Sequence, residues 1–101
     1  GWKSEVSYVR VNRQVNPMPG KLESIETPDK ANSMYYAQSQ IPMRDDNPDF
    51  PALVIGNYIL GGGAISSRLA NRVRQEEGLS YGIGSGVQSH PIDTRAVFTM
   101  Y

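Results

Sequence analysis

Three consecutive glycines, Gly61-Gly62-Gly63, separate two stretches of helical character, and four more, Gly78, Gly82, Gly84 and Gly86, punctuate the downstream residues. This spacing constrains the whole stretch from Asn57 to Gly86, NYILGGGAISSRLANRVRQEEGLSYGIGSG. Glycine takes up the left-handed backbone that ends a helix, so the triplet closes one helix. Ser66 or Ser67 supplies a side-chain oxygen to cap the next, Arg68 to Glu77. Leu69, Ala70 and Val73 form the apolar stripe of that second helix. Gly78 is its natural terminating residue, and Leu79 is placed to fold back on Val73. Glu76 and Glu77 sit in its last turn, where the helix dipole disfavours each by roughly 0.3–1 kcal/mol. That is either a mild mark of function or simple tolerance. A strand over Ser80 to Ser89 comes next, with Tyr81, Ile83, Ser85 and Val87 on one face and Gly82, Gly84 and Gly86 on the other. The bare glycine face predicts the close approach of a packed helix or of a bound peptide.

Upstream, residues 1–20 alternate weakly and then meet Pro17 and Pro19, which reads as an extended lead-in or linker with a short strand near Ser7 to Val11. Lys21 to Thr27 is a weak strand, closed by the turn signal Thr27-Pro28-Asp29. Ser33 to Ile41 is a clearer strand, with Tyr35, Ala37, Ser39 and Ile41 on its more apolar face. Asn47-Pro48-Asp49 is a helix start, with Asn47 as cap and Pro48 in the first helical position. From Phe50 to Leu60 the first helix is apolar nearly all round, and such a helix is normally covered on several sides. Downstream, His90-Pro91-Ile92-Asp93 is a turn. Arg95 to Tyr101 is a final strand with Ala96, Phe98 and Met100 on one side. The order strand, strand, helix, helix, strand, strand has no single crossover helix between strands. It predicts an α+β fold, an antiparallel sheet with helices packed on one face.

Ten basic residues balance ten acidic ones, which gives no electrostatic reason to expect nucleic acid or an acidic membrane surface. No cysteine is present, so disulfides and thiolate metal sites are excluded. No apolar run approaches the roughly 20 residues of a membrane span. At 101 residues the chain is one domain at most. The all-round apolar helix and the final apolar run suggest a piece of a larger protein: a lead-in over 1–20 and a partial domain over 21–101, truncated at its C-terminal end.

Several chemistries are poorly served by these residues. His90 is the only histidine and sits beside a proline in a turn, so no metal site is expected. No G-x-S-x-G elbow surrounds any serine. The glycine triplet follows a helix rather than a strand and lacks a following G-K-[ST], so a helix–helix corner outweighs a phosphate loop. What remains is Arg74 with Tyr81, seven residues apart across a helix end. Planar guanidinium donors and a phenol at one mouth suit gripping a peptide carbonyl or an oxyanion. The plain alternative is a surface arginine and a core tyrosine.

The segment from Thr27 to Ser85 resembles the second, non-zinc-binding half of pitrilysin/insulinase-type zinc metallopeptidases, the inverted H-x-x-E-H family, with bacterial periplasmic-type members most similar. The matching pieces are Thr27-Pro28-Asp29-Lys30-Ala31, the helix entry Arg44 to Asp49, Leu60-Gly61-Gly62-Gly63 followed by Ser66-Ser67-Arg68-Leu69, and Arg74-Gln75-Glu76-Glu77-Gly78-Leu79-Ser80-Tyr81. In that family two homologous α+β halves close like a clamshell. The first half binds zinc and activates water, and the second supplies an arginine and a tyrosine that hold the substrate backbone. By motif position these are Arg74 and Tyr81. The chain has no H-x-x-E-H, so the resemblance implies a substrate-clamping part, inactive alone, of a parent zinc metalloendopeptidase whose zinc ligands lie elsewhere. It implies as partners a zinc-bearing N-terminal half or subunit and a peptide, with self-association of the isolated piece and an extracytoplasmic or periplasmic location. The alternative is a non-catalytic homologous subunit, a scaffold or a peptide-presenting pseudo-peptidase.

Overall fold

The computed structural model describes residues 1–101. Three strands form one antiparallel sheet: β1 (Ala37–Ile41), β2 (Ser85–Ser89) and β3 (Ala96–Met100), in the order β1-β3-β2. Ala37 lies opposite Met100 on one side of β3, and Ser85 lies opposite Met100 on the other. Directly opposed residues share a face. Ala37, Ser39, Ile41, Ser85, Val87, Ala96, Phe98 and Met100 therefore form one side of the sheet, as the alternation in the sequence predicts. Ala96 is fully buried on it.

The helices lie on that side, and the fold is α+β. Helix α1 (Phe50–Asn57) continues as a π-type turn over Tyr58–Gly62, and a 3₁₀ turn follows at Ala64–Ser66. The second helix begins at Arg68 and is π-type over Ala70–Glu76, labelled α2. Its cap is Ser67, whose buried hydroxyl accepts the Ala70 N–H at 3.2 Å and donates to the Ala64 carbonyl at 3.1 Å. At its far end Gly78 adopts a positive φ of 62°, and the Leu79 N–H reaches the Val73 carbonyl at 3.0 Å. Both helix ends are thus closed by the residue types that the sequence placed there.

Several expectations fail locally. β1 begins at Ala37 rather than Ser33 and β2 at Ser85 rather than Ser80, where each meets Met100 of β3. No glycine of the triplet is left-handed: Gly61 and Gly62 stay in the π-type turn, Gly63 has φ −81°, and the positive φ of 49° falls on Ala64. Helix α1 starts at Phe50, not after Asn47. The Asn47 side chain instead closes a turn, accepting the Asp49 N–H at 2.9 Å, and Pro51 takes the early helical position, where a missing N–H leaves nothing unpaired. Residues 7–11 and 21–27 form no strand. Leu22 and Ile25, three apart, fall on opposite faces of an extended chain, so no apolar side exists to pair. Of the expected strand glycines only Gly84 meets the helical side, a Cβ there lying 3.5 Å from the Gly61 carbonyl oxygen. A Cβ at Gly82 or Gly86 would meet nothing within 4 Å, and one at Gly84 would meet the Tyr101 hydroxyl at 2.8 Å. The close approach comes from Gly61 on the helical side, where a Cβ would lie 2.5 Å from Ser85 Oγ and 2.6 Å from the Ser85 backbone nitrogen. Asn57, one turn earlier, accepts the Ser85 hydroxyl at 2.8 Å. Helix and sheet are keyed together at that point.

The chain is not spherical. Its radius of gyration is 19.0 Å, against about 13 Å for a compact domain of 100 residues. Residues 1–36 contain no helix or strand and are almost wholly exposed, which accounts for the length.

Candidate functional site

Arg74 leaves the last turns of α2, and Tyr81 lies three residues beyond the Gly78 reversal. The reversal brings them together: the guanidinium carbon of Arg74 sits 4.2 Å from the centre of the Tyr81 ring. Neither group is sealed in. Tyr81 is 83% exposed and Arg74 is half-buried. Of the two readings open in the sequence, the core tyrosine is excluded. A face-on stack leaves the edge N–H donors of the guanidinium and the phenolic oxygen free for another molecule.

The electrostatics around the pair explain the two acids at the helix end. Arg72 binds Glu76 at 2.9 Å and Glu77 at 2.6 Å. Both acids are engaged by the neighbouring Arg72, and Arg74 forms no ion pair. The Arg72 pairs are exposed and contribute little to stability. They leave the Arg74 guanidinium at the rim without a carboxylate partner.

Beside the pair is a cavity of about 700 Å³. Leu69 and Val73 of the second helix, Leu79 and Ile83 form much of its apolar lining. Val73 adjoins Arg74 in sequence, and the lining resumes on both sides of Tyr81, so pair and cavity share one border.

A family model for the peptidase M16 inactive domain matches residues 4–101. The chain belongs to the peptidase M16 family. The match is to its inactive, C-terminal half, as the resemblance in the motifs implies. Among solved structures, the chain is similar to a crystallised peptidase M16 inactive domain from Pseudomonas fluorescens, with 37% identity and a TM-score of 0.56. That likeness covers 64% of this chain and 15% of the other, so the chain spans a small part of its neighbour's length. No match is found among curated proteins.

Within this M16 domain no group of three or more His, Cys, Asp or Glu side chains is placed to hold a metal ion. The residues present therefore do not fit a zinc centre. No helix is long and apolar enough to cross a membrane. His90 plays a structural part. Its Nδ1 accepts the N–H groups of Ile92 at 3.2 Å and Asp93 at 2.9 Å, tying the β2–β3 turn.

The sequence reading missed Asp93. It is 1% exposed, and its carboxylate meets Arg10 at 2.6 Å. Burial raises its pKa. The hydrogen bond and charge of Arg10, a backbone hydrogen bond from Arg13 and the nearby His90 outweigh that effect and hold the carboxyl below its ordinary value. The contact links residues 83 apart, and no local pattern announces it.

Proposed function

We propose that this M16 domain is the substrate-clamping part of a zinc metalloendopeptidase, inactive alone and completed by a zinc-bearing half. The observation that carries the reading is the stack of Arg74 on Tyr81 at an open rim. The stack holds a permanently charged planar donor over a phenol, and neither is used up by internal partners. A peptide carbonyl lying across that rim would accept from the guanidinium edge and from the phenol. Negative charge growing on the carbonyl oxygen would strengthen both bonds, so the grip would act more on the transition state than on the ground state. Zinc, bound in the other half, would supply the activated water.

The test is reconstitution. The chain, alone and mixed with the zinc-bearing half of an M16 peptidase, is assayed against a fluorogenic peptide. Hydrolysis that requires both components supports the reading. A complex that forms and binds peptide but never cleaves it replaces this reading with the non-catalytic, peptide-presenting one.

A further inference from the structure

Two acids, Glu76 and Glu77, close α2 at the end where the helix dipole disfavours them, and one residue engages both. Arg72 Nη1 meets the Glu76 carboxylate at 2.9 Å, and Nη2 meets that of Glu77 at 2.6 Å. The winding of α2 decides which arginine Glu77 faces. In an α-helix its neighbours on the preceding turn are Arg74 and Val73, three and four positions back. Here the helix is π-type over Ala70–Glu76, and the Glu77 N–H reaches the Arg72 carbonyl, five positions back, at 3.1 Å. The wider turn sets Glu77 over Arg72. Arg74 keeps its guanidinium carbon 4.2 Å from the centre of the Tyr81 ring and pairs with no acid.

We propose that Arg72 is a positioning residue for the substrate grip: together with the π-type turn it holds the Glu77 carboxylate away from Arg74. The inference rests on the clamping role given to Arg74 above. Exposed pairs such as those of Arg72 add little to stability, so their effect lies in competition. A carboxylate three residues from Arg74 is a standing rival to a peptide carbonyl, because a charged acceptor makes the stronger bond to a guanidinium. It would also repel the carbonyl oxygen as negative charge grows there. Arginine suits the holding role, since its planar fork offers one amino group to each acid and neither is left over. A π-type turn places a side chain where an α-turn would not, which is why such turns recur at functional positions. The two acids at the helix end thus acquire a reason: they are tolerated because the residue that engages them also keeps them off the grip.

The experiment reads Arg74 itself. The full chain is treated with phenylglyoxal, which modifies guanidinium groups, and the rate at Arg74 is followed by peptide mass spectrometry. Arg72→Ala is expected to slow modification of Arg74 about twofold or more, as Glu77 turns to it. Adding Glu77→Gln to Arg72→Ala should restore the native rate, and Glu77→Gln alone should leave it unchanged. Loosening of the helix would speed the reaction, so the sign separates capture from unfolding. In the full-length or reconstituted peptidase, kcat/KM should fall about threefold to tenfold with Arg72→Ala and return with Glu77→Gln. An unchanged or faster rate at Arg74 in Arg72→Ala, a slowing that Glu77→Gln does not reverse, or a faster rate in Glu77→Gln alone overturns the proposal. A kcat/KM that ignores Arg72→Ala but collapses with Arg74→Ala overturns the role of Arg72 alone. Full activity in Arg74→Ala overturns the clamping reading instead.

Discussion

The guanidinium carbon of Arg74 lies 4.2 Å from the centre of the Tyr81 ring. A stack of this kind at an exposed site stabilises by about 0.5–1 kcal/mol. It depends on the ring and not on the hydroxyl. Tyr81→Phe is therefore expected to leave the thermal midpoint of the domain within about 1 °C, whereas Tyr81→Ala lowers it by a few degrees. Differential scanning fluorimetry on both variants separates the stack from the phenol, and equal losses would assign the hydroxyl a structural role.

Two glycines of the first helical stretch should respond oppositely to the same substitution. Gly56 lies inside α1, and a Cβ there meets nothing within 4 Å. Gly56→Ala should stabilise by about 0.5–1 kcal/mol through helix propensity. At Gly61 the added carbon would press on Ser85 and on Leu69 Cδ1 at 2.8 Å. Gly61→Ala should destabilise by about 1–3 kcal/mol through overpacking. Urea denaturation of the pair gives both signs, and stabilisation by both would mean that helix and sheet are not in contact at Gly61.

Those two positions also show what a sequence conveys. The ends of α2 were legible because Ser67 and Gly78 act on their nearest neighbours, whereas the start of α1 and the residue that turns the chain after it were not. Strand faces were legible because alternation is a local property. That Gly61, rather than Gly82 or Gly86, is the point of close approach depends on which face the helices choose, and that is decided by packing across the chain. That Arg74 and Tyr81 come together was legible because one tight reversal joins them, while a shared role was implied only by the family resemblance. Arg10 and Asp93 lie at opposite ends of the sequence, and neither sits in a pattern that points to the other.

The Arg10–Asp93 pair should give the lead-in an acid-sensitive anchor. The folded carboxyl titrates below its ordinary value. A depressed folded pKa means that the contribution is complete above the ordinary carboxylate range and is lost as pH falls through the folded value. Cleavage of residues 8–13 by an acid-tolerant protease, relative to a free peptide of the same sequence, should accelerate on acidification below that range. Asp93→Asn should show fast cleavage there already at neutral pH. Unchanged cleavage in Asp93→Asn would mean that the contact does not hold the lead-in.

Helix α1 and the turn after it leave Val54, Ile55, Tyr58 and Ile59 exposed, and no residue of α1 is fully buried. Such a contiguous apolar face favours association. The isolated chain is expected to self-associate at tens of micromolar, roughly the range of weak interfaces. Ile55→Glu with Ile59→Lys should shift it towards monomer in sedimentation velocity. A monomer in both forms would show that this face does not drive association.

The claim that Arg74 and Tyr81 grip the substrate is tested most directly by kcat/KM of the reconstituted or full-length peptidase carrying Arg74→Ala, Tyr81→Phe and both changes. Loss of a charge-assisted hydrogen bond predicts a fall of roughly tenfold to a hundredfold for Arg74→Ala, and loss of the phenol a fall of roughly fivefold or more for Tyr81→Phe. The double variant should fall by less than the product of the two, because both groups hold one carbonyl. A change of less than about threefold at both positions, far below what one lost charge-assisted bond produces, would contradict the account.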